Sequence, residues 1–355
     1  MCAALAERGH DVTLFATGQQ SCEQEGAYRT RIFATQFAPM AVSAGFFRAL
    51  NELKNMELVH IHMLYRFPQA AAAWFCRRHG IPYCIQPHGA LEPVLFHKRE
   101  RRAAKRLYEW LVENRNLGSA AGLIYTAQGE EDAASFLGLA PPAFIVPLGL
   151  HLPEFGQDAS GFRARHGLEG CELIVWMGRM VPVKALDILV AAFAALARER
   201  PQAVLALVGP DTENQAVLLR GLMAKLGLTP DRVIFTGMLQ GPEKLAALRE
   251  ADLFVLPSHT ENFALAALEA MAMGCPVIVS TGVKSAPDIL SAGAGLVVPP
   301  QAGELESAMR HLLQDGAARA RMGVAARQLA LRYGWPDVIG RLETAYATMI
   351  AGAAP

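Results

Sequence analysis

The chain has no Cys-x-x-Cys pair; its six cysteines (Cys2, Cys22, Cys76, Cys84, Cys171 and Cys275) are scattered, mostly through apolar stretches. That pattern speaks against a cysteine-built zinc site or a disulfide framework and fits reduced core thiols. Nor is there an excess of either charge: 33 Lys and Arg balance 33 Asp and Glu. A nucleic-acid binder would want a net basic face, so no nucleic-acid partner is expected. No uninterrupted apolar run reaches the roughly 20 residues of a membrane-spanning helix. Glu7 and Arg8 fall where a secretory signal would keep its apolar core, and a cytoplasmic location is expected. Gly-x-Gly-x-x-Gly, a phosphate-loop Gly-Lys-Ser/Thr and His-Glu-x-x-His are all missing. Their absence counts against a dehydrogenase, a phosphate-loop kinase and a zinc hydrolase. Internal repeats and low-complexity tracts are lacking too.

What is present is apolar material in a regular rhythm. A chain of 355 residues that is 52% hydrophobic can bury two cores of ordinary domain size. Strand-like runs alternate with helix-period segments from end to end, which predicts parallel sheets covered by helices on both faces. In the first half the strands are expected near Val12–Ala16, Arg31–Phe37, Leu58–Met63, Tyr83–Gln86, Gly122–Thr126 and Phe144–Pro147. A polar, glycine-containing stretch, 154–170, reads as a linker. The rhythm then restarts near Leu173–Met177, Val204–Val208, Val233–Thr236, Leu253–Leu256, Val277–Val279 and Gly295–Val298. The expected organisation is a first domain over 1–153, the linker, a second domain over 171–333, and a closing helical segment over 334–355 that returns to the first domain. Met1 opens inside a helix (Ala3–Glu7, ended by Gly9) with no strand before it. In a doubly wound domain the first strand is central, so the expectation is unpaired backbone inside the first domain, from a start that lies upstream or from a real truncation.

The strongest chemical signal is the eight-residue step from Glu261 to Glu269. Leu253–Pro257 reads as a buried strand, Ser258–Ala264 as its loop, and Leu265–Met271 as a helix closed by Gly274 and Pro276. Open α/β sheets bind ligands at such strand–loop–helix joints. The loop amides and the positive end of the helix attract an anion, while the two carboxylates can accept hydrogen bonds from hydroxyls. An activated sugar with its diphosphate suits both; the alternative is that Glu261 caps the helix and Glu269 is solvated. Met177-Gly178-Arg179-Met180-Val181-Pro182-Val183-Lys184 places a planar cation past one strand and a compact one in the first turn of the next helix. Together they can neutralise a diphosphate without a metal. Gln86-Pro87-His88-Gly89 puts a histidine in a shaped loop at a strand end, and Thr236-Gly237 offers backbone for close approach to a base. Asp187 and Asp211 are weaker candidates for the same pocket. Lys98, Arg99, Arg101, Arg102, Lys105 and Arg106 form a cationic run beside Leu107, Trp110 and Leu111. The run is either a site for anionic lipid headgroups or an acceptor phosphate, or a solvated helix face.

Taken together, Gly178-Arg179 with Lys184, Pro257-Ser258 through Glu261-Asn262-Phe263 to Glu269-Ala270, Gly274-Cys275-Pro276-Val277, Gly293–Val297, Pro87-His88-Gly89 and Tyr333-Gly334-Trp335 resemble the group 1, or family 4, retaining glycosyltransferases. The likeness spans nearly the whole chain. It implies the GT-B fold, two Rossmann-like doubly wound parallel-sheet domains facing a cleft. It also implies transfer of a sugar, with retention, from a nucleotide diphosphate donor to a hydroxyl of a glycan or lipid-linked glycan in cell-surface polysaccharide biosynthesis, with no metal and no cofactor. Under this resemblance Arg179 and Lys184 bind the donor phosphates, Glu261 the sugar hydroxyls and Glu269 the ribose. The backbone of Gly178, Gly237, Asn262, Phe263 and Ala264 helps hold the donor, and His88 lines the acceptor side. The catalytic set so implied is His88, Arg179, Lys184 and Glu261. Departures are Ala264 and Ala185 where the family usually has glycine, and the missing first strand with its glycine-rich loop. A remnant that binds nucleotide only, and a nucleotide-sugar 2-epimerase, are the competing readings.

Overall fold

In the computed structural model residues 1–93, 107–151 and 161–353 are described. The cationic run from Lys98 to Arg106 lies outside the described residues. The chain forms two compact units, residues 1–149 with 335–355, and residues 150–334.

The second unit carries one six-stranded sheet. Its strands are β8 (Glu172–Met177), β9 (Ala203–Val208), β10 (Val233–Gly237), β11 (Leu253–Leu256), β12 (Val277–Ser280) and β13 (Gly295–Val298), in the order β10-β9-β8-β11-β12-β13. Every pairing is parallel. The sequence explains this: the runs Leu-Ile-Val-Trp and Leu-Phe-Val-Leu are fully buried, as strands covered by helices on both faces must be. Because the chain winds outward from β8 in one direction and from β11 in the other, these neighbours mark the switch point of the sheet. Loops leaving their carboxyl ends diverge there and leave a crevice.

The stretch expected as linker is, in its described part, a piece of this unit. Residues Phe162–His166 are helical. Both oxygens of Glu250 accept hydrogen bonds from the start of that helix, from the N–H groups of Gly161 and Arg163. Arg163 then pairs with Asp252 at 2.7 Å. A polar, glycine-bearing segment reads as linker by composition, but in its described part the N–H groups of Gly161 and Arg163 and the Arg163 guanidinium are held by the carboxylates of Glu250 and Asp252.

The first unit departs from a single doubly wound sheet. Strands β1 (Thr13–Gly18), β2 (Cys22–Glu25) and β3 (Arg29–Ala34) form a three-stranded sheet of order β1-β3-β2. In it β2 runs antiparallel to β3. Strands β4 (Val59–His62), β5 (Tyr83–Gln86), β6 (Gly122–Tyr125) and β7 (Ala143–Ile145) form a separate parallel sheet in that order. The outer edges of β1 and β4 therefore have no strand partner among the described residues. The closing helix, Trp335–Ala353, packs on this unit through Val338, Ile339, Leu342, Ala345 and Met349, together with Leu5, Cys84, Ile124 and Val146. Gly149 and Gly122 make room for it: a Cβ at Gly149 would lie 2.3 Å from the Trp335 ring, and one at Gly122 would lie 2.6 Å from Met349. Cys76, Cys84 and Cys275 are buried free thiols. Burial pushes the Cys76 thiol up to about 12. No described helix is long and apolar enough to cross a membrane.

Candidate active site

At the switch point the loop after β8 and the loop after β11 are knitted together by main chain. His259 N–H donates to the Val183 carbonyl at 2.9 Å; the loop after β8 is tied also to the loop after β9, where Met180 N–H donates to the Pro210 carbonyl at 3.0 Å. The loop after β12 grips the loop after β11: Glu261 N–H donates to Gly282 at 3.0 Å, and Lys284 N–H donates back to Glu261 at 3.0 Å. The approach is so close that a Cβ on Gly282 would sit 2.3 Å from the His259 carbonyl oxygen. Gly209 faces the same restriction on the other side, where a Cβ would lie 1.8 Å from the Gly178 carbonyl oxygen. Glycine at these positions lets the loops after β8 and β9, and those after β11 and β12, meet backbone to backbone.

Two of the side chains predicted from sequence, Lys184 and Glu261, meet on this framework. Lys184 ends a short 3₁₀ turn, Pro182–Lys184, and its ammonium pairs with the Glu261 carboxylate. Both side chains are largely buried, at 17% and 20% exposure. The cation assigned to the phosphates and the carboxylate assigned to the sugar hydroxyls thus hold one another. Arg179 is exposed at the start of the same loop and pairs with none of the described residues. Ala185 and Ala264 both take the left-handed conformation, at φ 52° and 58°, and each immediately precedes a helix. The glycines usual there in the resembled family relieve this backbone, whereas alanine bears a cost of about 1–2 kcal/mol. Ala264 leads into the helix Leu265–Ala272 and its carbonyl accepts from the N–H groups of Ala267 and Leu268 at 2.9 and 3.2 Å, so that only the first two helical N–H groups, of Leu265 and Ala266, are left without an acceptor in the helix. Phe263 is buried edge-on against Tyr333, ring centroids 5.6 Å apart, which fixes the loop from beneath.

Glu269 lies on that helix and accepts from Lys244 at 2.7 Å. Lys244 belongs to the helix Gly241–Arg249, which follows β10 and Gly237. Nothing in its local sequence distinguishes Lys244 from a solvated lysine; only the packing of the two helices reveals it. Gly237 is left-handed at φ 71° with open space where a Cβ would be. Asp211 is committed elsewhere, capping the helix Gln215–Leu226 through the N–H groups of Gln215 and Ala216 at 2.8 and 3.0 Å. Asp187 is exposed in the first turn of its helix.

His88 belongs to the first unit and sits in a left-handed turn with Gly89, at φ 52° and 78°. Gly89 N–H donates to the buried Glu130 carboxylate at 2.6 Å, and Thr126 donates to the same group through N–H and hydroxyl at 2.7 and 2.8 Å. His88 Nε2 lies 2.9 Å from His62 Nδ1, and the His62 ring stacks on His60 at 4.1 Å. His60 Nδ1 in turn contacts the Tyr346 hydroxyl at 2.7 Å. Burial, reinforced by the neighbouring His88, pushes His62 down to about 4. Burial also lowers His88, against the opposing pull of Glu130. The stack is therefore neutral at neutral pH. Sequence reasoning singled out His88 alone, although the His60-Ile61-His62 spacing puts two histidines on one face of a strand. Among the described residues no group of three His, Cys, Asp or Glu side chains could hold a metal ion.

Two units of this kind, one with a parallel sheet whose switch point gathers paired cations and carboxylates, define the GT-B class of nucleotide-dependent α/β proteins. Family models agree along the chain: residues 160–329 match "Glycosyl transferases group 1", and residues 1–149 match a "Glycosyl transferase 4-like domain". The chain belongs to the group 1 glycosyltransferases. It is similar to a D-inositol 3-phosphate glycosyltransferase of Mycobacteroides abscessus, 29% identical over 98% of this chain and 82% of that one. Another of the same name, from Kineococcus radiotolerans, is 36% identical over 54% of this chain and 48% of the relative, so that alignment spans about half of the relative's length. Among solved structures, sucrose-phosphate synthase from Thermosynechococcus elongatus superposes with a TM-score of 0.77 at 26% identity, covering 99% of this chain and 92% of that one. HepE of Anabaena, solved with UDP and glucose, has a TM-score of 0.73 at 18% identity, covering 94% and 98%.

Proposed function

We propose that the protein transfers a glycosyl group from a nucleoside diphosphate sugar to an acceptor hydroxyl, with retention of anomeric configuration. The observation that carries this reading is the Lys184–Glu261 pair at the switch point, with Arg179 beside it and Lys244–Glu269 on the neighbouring helices. As the bond to the leaving diphosphate breaks, negative charge grows on the phosphate oxygens. Preorganised cations at that point are the main source of rate enhancement. Arg179 and Lys184 supply them, so the chemistry requires no metal. On donor binding Lys184 turns from Glu261 to phosphate, and Glu261 is freed to accept from sugar hydroxyls. Glu269, held by Lys244, accepts from the ribose; the backbone of Gly178, Gly237, Asn262, Phe263 and Ala264 lines the donor. His88 is assigned to the acceptor. No side-chain carboxylate stands out as a nucleophile on the sugar, in keeping with departure and attack on one face, the leaving phosphate taking the acceptor proton.

UDP-glucose is the first donor to test, because HepE was solved with UDP and glucose, and D-inositol 3-phosphate is the first acceptor, because the relatives are named for it. A glycan or lipid-linked acceptor in surface polysaccharide synthesis on the cytoplasmic side, with the cationic run 98–106 against lipid headgroups, is the broader assignment. Proton NMR of the product decides stereochemistry: an α-linked product from an α-donor supports retention, and a β-linked product refutes it. One observation favours a second reading. The second unit has a continuous sheet while the first is split, which suits a protein that binds nucleotide without transfer; nucleotide binding with no product from any acceptor would select it.

A further inference from the structure

Three histidine rings of the first unit lie one upon the next. His60 and His62 share one face of β4. Their rings stack with centroids 4.1 Å apart, and the His88 ring stacks on His62 at 5.2 Å and 20°. Apolar side chains would fill this space at less cost. His60 Nε2 is buried with no hydrogen-bond partner, an expense that a core serving stability alone avoids. What the stack does to the ring at its end explains it better.

That ring, His88, is held from two directions. Its backbone is left-handed at φ 52°, a conformation that a residue with a side chain keeps only where its surroundings impose it. The buried Glu130 imposes it from one side, accepting from Gly89 N–H and from Thr126. His62 holds the ring from the other, Nδ1 against Nε2 at 2.9 Å. His62 is itself fixed in place. It lies opposite Gln86 in the parallel pairing of β4 with β5, and its carbonyl accepts from Gln69 Nε2 at 3.0 Å. His60, on which it stacks, is tied through Nδ1 to the Tyr346 hydroxyl of the closing helix at 2.7 Å.

The contact between His62 and His88 also decides where the protons sit. Burial makes both rings poor bases, so each is neutral and offers one N–H and one lone pair. A free neutral imidazole side chain favours the proton on Nε2. With Nε2 of His88 facing Nδ1 of His62, both rings keep that form when His88 is the donor, and both lose it when His62 is. His88 Nδ1, bonded to none of the described residues, then carries the lone pair that remains for a ligand.

We infer that His62 is a positioning residue for glycosyl transfer: it accepts from His88 Nε2–H, locks His88 in that tautomer, and leaves His88 Nδ1 to accept from a hydroxyl of the acceptor. The inference rests on the assignment of His88 to the acceptor. In it His88 orients that hydroxyl and takes no proton, which departs with the leaving phosphate. Because backbone and ring are both held before the acceptor arrives, little freedom is lost when the hydrogen bond forms.

The test uses the full chain with nitrogen-15 in its 10 histidines, native and as His62→Leu and His62→Asn, the Asn amide reaching the place of Nδ1. Long-range nitrogen–proton NMR spectra, with the His88 signals assigned through His88→Gln, read the tautomer. The expected result is His88 protonated at Nε2 in the native chain and in His62→Asn, and a mixture of tautomers in His62→Leu. With UDP-glucose and D-inositol 3-phosphate, kcat falls about tenfold or more in His62→Leu and stays within about threefold of native in His62→Asn. Affinity for the nucleoside diphosphate is unchanged in both. A merely structural role predicts the opposite order, because a polar amide fills the stack worse than an apolar side chain. His88 protonated at Nδ1 in the native chain, a His88 tautomer unaltered in His62→Leu, or native kcat in His62→Leu overturns the inference. Should His62→Leu not fold, the native spectrum decides between the two tautomers. If the native chain forms no product with any acceptor, the transfer reading fails, and the spectra still decide whether His62 sets the His88 ring.

Discussion

Gly282→Ala gives a clean perturbation of the site, because the residue added touches no ligand and disturbs no left-handed backbone. The new Cβ would lie 2.3 Å from the His259 carbonyl oxygen and 2.7 Å from that of Ser258. Both contacts are backbone, so no side chain can rotate away, and the loops after β11 and β12 must separate by roughly an ångström. Overpacking of this kind costs about 1–3 kcal/mol. The same separation strains the Glu261 N–H to Gly282 hydrogen bond, 3.0 Å long, worth about 1 kcal/mol. A total of roughly 2–4 kcal/mol in a unit of this size corresponds to a fall in Tm of about 5–12 °C. Because Glu261 and its partner Lys184 ride on the displaced loop, nucleotide affinity should fall as well. The comparison is Gly237→Ala, where the backbone is left-handed but nothing lies within 4 Å of the new methyl; its cost is only the conformational one, about 1–2 kcal/mol. Differential scanning fluorimetry and calorimetric titration of a nucleoside diphosphate read both. Should Gly282→Ala melt within a degree of the native chain and bind equally well, the close-packed loop framework is refuted.

Other outcomes follow from the same geometry. Lys244→Ala removes the partner that holds Glu269 at 2.7 Å; a half-buried pair worth about 1 kcal/mol predicts a roughly fivefold loss of donor affinity, read as a rise in KM with kcat little changed. Ala264→Val should lower stability by about 2–4 kcal/mol, since a β-branched side chain is forced into a left-handed, buried position. Ala264→Gly should stay within about 1 kcal/mol, because relief of the backbone is offset by lost methyl burial and a freer unfolded chain; urea midpoints distinguish the two. His62, depressed by burial to about 4, is neutral in the folded state while the unfolded imidazole titrates near its ordinary value. Its contribution is complete above pH 6.5 and is lost as pH falls toward 4, by up to about 3 kcal/mol; His62→Gln should flatten that slope in urea unfolding.

Much of the fold was legible because buried parallel strands announce themselves as apolar runs. β5, β11 and β13 fall on their expected bounds, and the remaining expected strands overlap their observed counterparts. β2 was missed because Cys22-Glu23-Gln24-Glu25 is exposed at every position and carries no hydrophobic pattern. Its order comes from pairing, with Arg31 drawn to Glu23 across the sheet. At the site, Lys184 and Glu261 were named from their loops, but their mutual pairing was not, since two residues separated by 77 positions meet only through the switch point. Lys244 and the partners of His88 were invisible for the same reason. Helix packing selects Lys244, and two stacked histidines on β4 become a unit only when the turn at His88 brings a third ring to them. The split of the first unit's strands into two sheets is a matter of pairing that apolar periodicity cannot register.

The most direct test of the central claim is calorimetric titration of the chain with a panel of nucleoside diphosphates, repeated with Lys184→Ala. The expected result is saturable binding of one member, weakened at least tenfold, about 1.4 kcal/mol, by the substitution. Arg8→Ala, which removes an exposed ion pair to Glu343 in the first unit, should leave that binding unchanged. Equal affinity in the Lys184 variant, or no binding by any diphosphate, would contradict the assignment of the switch point as the donor site.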